Sequence, residues 1–127
     1  MVKIYADNIE KSTSENRYYR RVIATIPNSM QLVLMRLEPQ QDIGMEVHPR
    51  TTQFIRVEQG EGIAQLGSHR PIPLQDGSAV IIPPEMRHNI INTSTTEPLL
   101  LYTIYTPPEH PTHRRQRRKP REEHHHK

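Results

Sequence analysis

The sequence predicts an all-β, antiparallel sandwich or barrel, and three observations carry that expectation. Twelve of the 127 residues are proline, and proline removes a backbone donor and breaks helix interiors. The prolines fall where the chain should change direction, at Pro27, Pro39, Pro49, Pro71, Pro73, Pro83–Pro84, Pro98 and Pro107–Pro108. Between them lie short segments with period-two alternation or β-branched enrichment. Many short strands separated by turn residues indicate two packed antiparallel sheets or a closed barrel.

In chain order, the pattern places strands at about residues 19–25, 31–38, 43–48, 53–58, 62–66, 79–82, 88–92 and 99–105. A helix is expected only over residues 7–17, with Asp7 as its N-cap. The chain divides into an N-terminal arm (1–18), a β barrel (19–108) and a basic tail (109–127). The tail has no large apolar residue and holds a His triplet, His124–His126. Such a segment buries too little to offset its ordering entropy, so disorder is expected beyond about His113.

The net charge of +3 suggests an acidic partner only until it is divided along the chain. Residues 109–127 hold seven basic and three acidic groups, leaving ten basic and eleven acidic groups in residues 1–108. The barrel is electrostatically ordinary. The tail lacks interleaved aromatics and a basic body behind it, so nucleic acid is not the expected partner. The absence of cysteine excludes disulfides, Cys-ligated metal centres and thiol catalysis. The apolar run Leu99–Tyr102 is too short to span a bilayer, and the first residues show no apolar signal segment. The expectation is a cytoplasmic protein without membrane attachment.

The chemistry concentrates in residues 44–62 and 77–92. On a strand, Glu46 and His48 project to one face, as do Gln53, Ile55 and Val57 on the next. If those strands pair, Glu46, His48 and Gln53 converge, and His88 opens a further strand after Pro83-Pro84-Glu85. Two imidazoles, a carboxylate and an amide oxygen are a plausible ligand set for a divalent metal.

At these residues the chain resembles the cupin superfamily. Glu46-x-His48-x4-Gln53-x6-Gly60 is similar to the family's H-x-H-x4-E-x6-G motif, with Glu and Gln substituted at two ligand positions. Gly77-x5-Pro83-x-Glu85-x2-His88-x3-Asn92 matches the second motif at every spacing, with Glu85 where the family has its middle Gly. The resemblance spans about residues 19–106. It implies a jelly-roll barrel, a divalent transition metal (Fe, Mn, Ni or Zn) held by Glu46, His48, Gln53 and His88, and a homodimer. A second alignment starts the ligand pair at His48 and puts Arg50 in the second position, where a guanidinium cannot ligate. Residues 53–62 and 102–111 also look like small single-domain bacterial cupins often labelled mannose-6-phosphate isomerase-like.

Arg50 is close enough in sequence to meet an anionic substrate. Tyr102 and Tyr105 have opposite strand parity, so one at most faces the cavity, and Tyr102 is the substrate-binding candidate. His110 and His113 follow the last strand, where a lid would sit. The functional expectation is a metal-binding protein acting on a small molecule, as an isomerase, epimerase or dioxygenase. A non-catalytic binding or sensing module is the alternative, and nucleic-acid contact through the tail is a minor one.

Overall fold

The structure, a computed structural model, describes residues 4–121. Six strands form the larger sheet: β1 (Arg20–Ile26), β2 (Met30–Leu37), β3 (Thr52–Gln59), β6 (Ala79–Ile82), β8 (Leu99–Thr106) and β9 (Arg115–Gln116). Their spatial order is β6-β3-β8-β2-β1-β9. The smaller sheet has the order β5-β4-β7, from β5 (Ile72–Leu74), β4 (Gly62–Leu66) and β7 (His88–Asn92). Every named strand pair is antiparallel, and the two sheets enclose one core in a jelly-roll barrel.

Side-chain alternation decides what enters that core. On β3, Gln53, Ile55 and Val57 are buried while Phe54, Arg56 and Glu58 are only half-buried. On β2 the inward set is Gln31, Val33, Met35 and Leu37, and on β8 it is Leu99, Leu101, Thr103 and Tyr105. Strand register aligns these into rows. Val57, Leu101 and Met35 form an apolar row, whereas Gln53, Tyr105 and Gln31 form a polar row at one end of the barrel. The polar row marks the end that carries the site.

Four expectations need correction. The helix (α1) runs only over Ile9–Ser14 and is capped by Asn8, whose side chain accepts from the Lys11 amide. Asp7 instead accepts from the Asn8 amide, and the Asn16 side chain bonds both the amide and the carbonyl of Tyr18, which diverts the backbone from a further turn. Residues 43–48 are not a continuous strand. They follow β7 through the isolated bridges Asp42↔Ile91 and Glu46↔His88. The register slips by one residue between them, at Gly44 with φ +97°. Residues 72–74 form a strand that Pro73 obscured, tolerated because β5 is a sheet edge.

The fourth correction is the tail. Residues 114–119 are ordered against the barrel. Beyond the β1–β9 pairing, Tyr19 and Val22 donate their amides to the carbonyls of Arg117 and Arg114. Arg20 bonds the Gln116 side chain at 2.8 Å, and Lys119 reaches Asp42 at 2.8 Å. The guanidiniums of Arg21, Arg115 and Arg117 surround the Tyr18 ring at 5.6–5.7 Å. Composition misjudged the segment because its order comes from satisfying the open edge of β1, not from apolar burial. The His triplet lies outside the described residues. No helix among the described residues is long and apolar enough to cross a membrane.

Candidate metal centre

Glu46 and His48 reach the interior from the segment beside β7, and the local pattern is inverted. Met45 and Val47 are 47% and 46% exposed, while His48 is 7% exposed. A segment that turns its apolar residues outward and its ionisable ones inward is specified by something other than core packing. Glu46 is fixed by two backbone bonds to His88, its amide to the His88 carbonyl and the His88 amide to its own carbonyl. The Glu85 amide in turn donates to the His48 carbonyl at 2.8 Å.

Ligand atoms of Glu46, His48 and His88 all lie within 4.8 Å of one another. Glu46 Oε1 is 3.4 Å from His48 Nε2 and 3.8 Å from His88 Nε2. Both Nε2 atoms are buried without a properly aligned hydrogen-bond partner, as is Gln53 Oε1. Orphaned buried polar atoms are costly and uncommon, and three of them belong to the ligand set that the spacing had indicated.

The remaining bonds orient the orphans. His88 Nδ1 lies 2.9 Å from the Met86 carbonyl, which can only accept, so that nitrogen carries the proton and Nε2 offers a lone pair. His48 Nδ1 lies 3.3 Å from Glu109 Oε2, and Glu109 Oε1 accepts from Thr51 Oγ1. Gln53 donates Nε2 to Thr103 Oγ1 at 3.0 Å, leaving its carbonyl oxygen uncommitted. Both imidazoles therefore turn Nε2, and the amide its oxygen, to unfilled roles. Nitrogen and oxygen donors of this kind suit a divalent transition metal.

Electrostatics distinguish the two imidazoles. Burial disfavours the Glu46 charge, but His48, Arg20 and His88 outweigh it and hold its carboxyl below the usual range. The Glu46 contact raises His48 against the opposing effect of burial, with Glu109 adding to the rise. Burial lowers His88, with the His48 charge acting the same way against the Met86 bond. His88 is thus a neutral imidazole, the form that ligates.

Around this group stand residues of two kinds. Tyr105 packs edge-on against His48 at 5.7 Å and against His110 at 5.1 Å between ring centroids. Burial raises its hydroxyl pKa above the usual value. His110 Nε2 is a further buried, unpartnered atom; burial, then the nearby Arg20, bring its pKa down to about 4. Gln31, fully buried, holds the strap that carries it, accepting from the Glu109 and His110 amides and donating to the His110 carbonyl.

Of the six site residues expected from sequence, the structure gathers Glu46, His48 and His88 and places Gln53 on the inward face with Tyr105. Arg50 is exposed at the turn, with no hydrogen bond or ion pair among the described residues. Tyr102 is a correction. It lies on the outer face opposite Leu34 and Arg56, its ring 6.2 Å from Phe54, and Tyr105 has the inward place. The run Leu99-Leu100-Leu101 lacks alternation, so sequence parity could not tell which tyrosine turned in. Sequence reasoning also missed Arg20, Gln31 and Glu109. The one available signal was Arg20 sharing strand parity with Val22. A separate surface cleft of about 540 Å³ beside β4 and β5 holds no histidine.

Two antiparallel sheets rolled into a barrel, with histidines and a carboxylate inside one end, define a double-sheet β-barrel protein with a possible metal site. The cupin-domain family model matches residues 33–105, and the chain belongs to the cupin family. It is 46% identical over 111 residues to protein L612 of Acanthamoeba polyphaga mimivirus, covering 86% of this chain and 69% of that protein. It is 40% identical over 114 residues to YrkC of Bacillus subtilis, covering 86% of this chain and 60% of that protein. The chain thus spans about two-thirds of the lengths of these relatives. Among solved structures, BH2720 from Bacillus halodurans superposes with a TM-score of 0.86 at 38% identity. That match covers 91% of this chain and 89% of the other.

Proposed function

We propose that this cupin binds a divalent transition metal through Glu46, His48, His88 and Gln53 and acts on a small molecule at that centre. The observation that carries the reading is the convergence of the Glu46 carboxylate with two buried Nε2 atoms that lack an aligned hydrogen bond. A metal so held would supply Lewis-acid or redox chemistry to a bound small molecule. Isomerisation, epimerisation and dioxygenation all fit that chemistry. The chain's own contribution is orientation. Met86 and Glu109 orient the two imidazoles, and Tyr105 packs edge-on against His48.

Metal analysis of protein purified without a nickel column, beside His48→Ala and His88→Ala, tests the reading. Near-stoichiometric metal in the wild type, lost in both variants, is expected. An equal trace in all three overturns it. A turnover screen under air against sugar phosphates and catechols separates catalysis from binding or sensing.

A homodimer belongs to the same proposal. β9 covers the outer edge of β1, so copies of this chain would meet elsewhere, and Ile72 and Ile81, 41% and 69% exposed, offer an apolar face on β5 and β6. Sedimentation of the wild type and Ile81→Lys measures it: a dimer is expected for the first and a monomer for the second.

A further inference from the structure

The metal reading uses Arg20 only as a counter-charge to Glu46. It is 7% exposed, and its Nε is buried without a partner. Among the described residues its guanidinium makes one side-chain hydrogen bond, from Nη1 to Gln116 Oε1. Its Nη2 is 3.9 Å from Glu46 Oε2, beyond hydrogen-bonding distance. Its guanidinium carbon lies 5.1 Å from the Tyr19 ring centroid, a stacking contact that leaves the buried Nε donor without an acceptor, and a buried charged donor left unpaired is costly unless something else accepts from it.

The charges around it do not balance. The carboxylates facing this end of the barrel are Glu46 and Glu109, and Arg20 faces them. With a divalent ion between Glu46 and the imidazoles, one positive charge is left over in a largely buried site. The neighbouring His110 is a neutral imidazole whose Nε2 is also free. The fully buried Gln31 holds the His110 backbone through two hydrogen bonds and the Glu109 amide through a third.

Resting on the metal-centre reading, we propose that the site takes a small carboxylate ligand, with Arg20 receiving the carboxylate and His110 making a second hydrogen bond to the ligand. A monoanion neutralises the surplus charge, whereas a phosphate near neutral pH carries about −1.5 to −2 and overshoots it. Arg20 and Gln116 join this function to the tail, because β9 delivers the acceptor that orients the guanidinium.

The test uses the full chain, loaded with zinc and in metal-free form, with metal content measured independently. Calorimetry compares glycolate with ethylene glycol, which lacks only the carboxylate chemistry, and with inorganic phosphate. Zinc-loaded wild type should bind glycolate at least tenfold more tightly than ethylene glycol or phosphate. Arg20→Gln should weaken glycolate roughly 10- to 100-fold, as expected for a lost charge-assisted bond, and leave ethylene glycol unchanged. Arg20→Lys should recover part of the loss. His110→Gln, which leaves the guanidinium in place, should weaken glycolate several-fold with metal content intact.

Equal glycolate affinity per bound metal in wild type, Arg20→Gln and His110→Gln overturns the proposal and leaves Arg20 as a counter-ion to Glu46. Tighter binding of phosphate than of glycolate overturns the ligand class. Failure of the wild type to take up zinc is a failure of the metal reading. In that protein, glycolate binding that falls with Arg20→Gln upholds the anion site, and binding that is absent or unaffected by Arg20→Gln overturns it.

Discussion

Glu109 and Glu46 address opposite nitrogens of one imidazole: Glu109 Oε2 lies 3.3 Å from His48 Nδ1, and Glu46 Oε1 lies 3.4 Å from His48 Nε2. The first contact comes from the strap after β8, 61 residues along the chain from His48. A ligating histidine whose other nitrogen donates to a carboxylate is both oriented and made more basic. Glu109→Gln keeps an acceptor for Thr51 but removes the charge. It should weaken metal binding about 10- to 100-fold, read by competition with a chromophoric chelator, with the unfolding midpoint of the metal-free protein little changed. Unaltered metal affinity removes Glu109 from this role.

Gln53 offers a neutral oxygen where the related motif has a carboxylate. Gln53→Glu puts a second negative charge beside Glu46 in a buried site. Without metal this costs about 1–3 kcal/mol, through desolvation, like-charge repulsion and the lost donation to Thr103. With metal bound, the added charge strengthens ligation. The expected result is a lower melting temperature without metal and a wider gap between the metal-free and metal-bound forms than in wild type. An unchanged gap shows that the residue 53 oxygen does not touch the ion.

Much of this was legible in the sequence. The alternation Gln53-x-Ile55-x-Val57 placed an amide on the inward face, and the spacing from Gly77 to Asn92 located His88 at the start of β7. Asn92 earns its place in that spacing, since its side-chain amide bonds the carbonyls of Leu37, Glu38 and Glu97 and so ties β7 to the end of β2 and to the turn that leads into β8. Arg20, Gln31 and Glu109 were not legible, because their roles depend on contacts 26 to 96 residues apart that no local pattern encodes. The tail failed for a related reason. Its composition resembles a solvated arm, yet the free edge of β1 supplies a backbone partner that composition does not register.

Glu85 stands where the related motif has glycine, and its φ of +71° explains the glycine. A side chain in the left-handed region costs about 1 kcal/mol relative to Gly. Glu85→Gly should therefore raise stability by about 1 kcal/mol in urea unfolding, leaving metal content as before. Gly60 gives the contrast. A Cβ added there would sit 2.7 Å from the Pro98 carbonyl oxygen, with φ at +114°. Gly60→Ala should cost about 2 kcal/mol or more by the same measurement. A loss of stability in Glu85→Gly would assign the glutamate side chain a stabilising contact of its own.

Asp42 joins the tail to the barrel, and its ionisation gives that link a pH dependence. Burial acts against its charge, but the hydrogen bonds from Asn89 and Lys119 outweigh this and hold its carboxyl below the usual carboxylate range. A carboxyl depressed in the folded state binds its proton more readily when unfolded. Its contribution to stability is therefore full above the unfolded pKa, about 3.9, and is lost as pH falls through the lower folded value. Asp42 is partly exposed, so the effect is small and screened by salt. Wild type should exceed Asp42→Asn in stability at pH 6, and the difference should shrink to nothing as the solution is acidified below pH 4. Lys119→Met should remove part of the same difference. Protection of the Tyr19 and Val22 amides, which donate to the tail carbonyls, should fall in both variants when hydrogen exchange is followed at pH 6. A stability difference that persists unchanged at pH 2 rules out the Asp42 charge as its source.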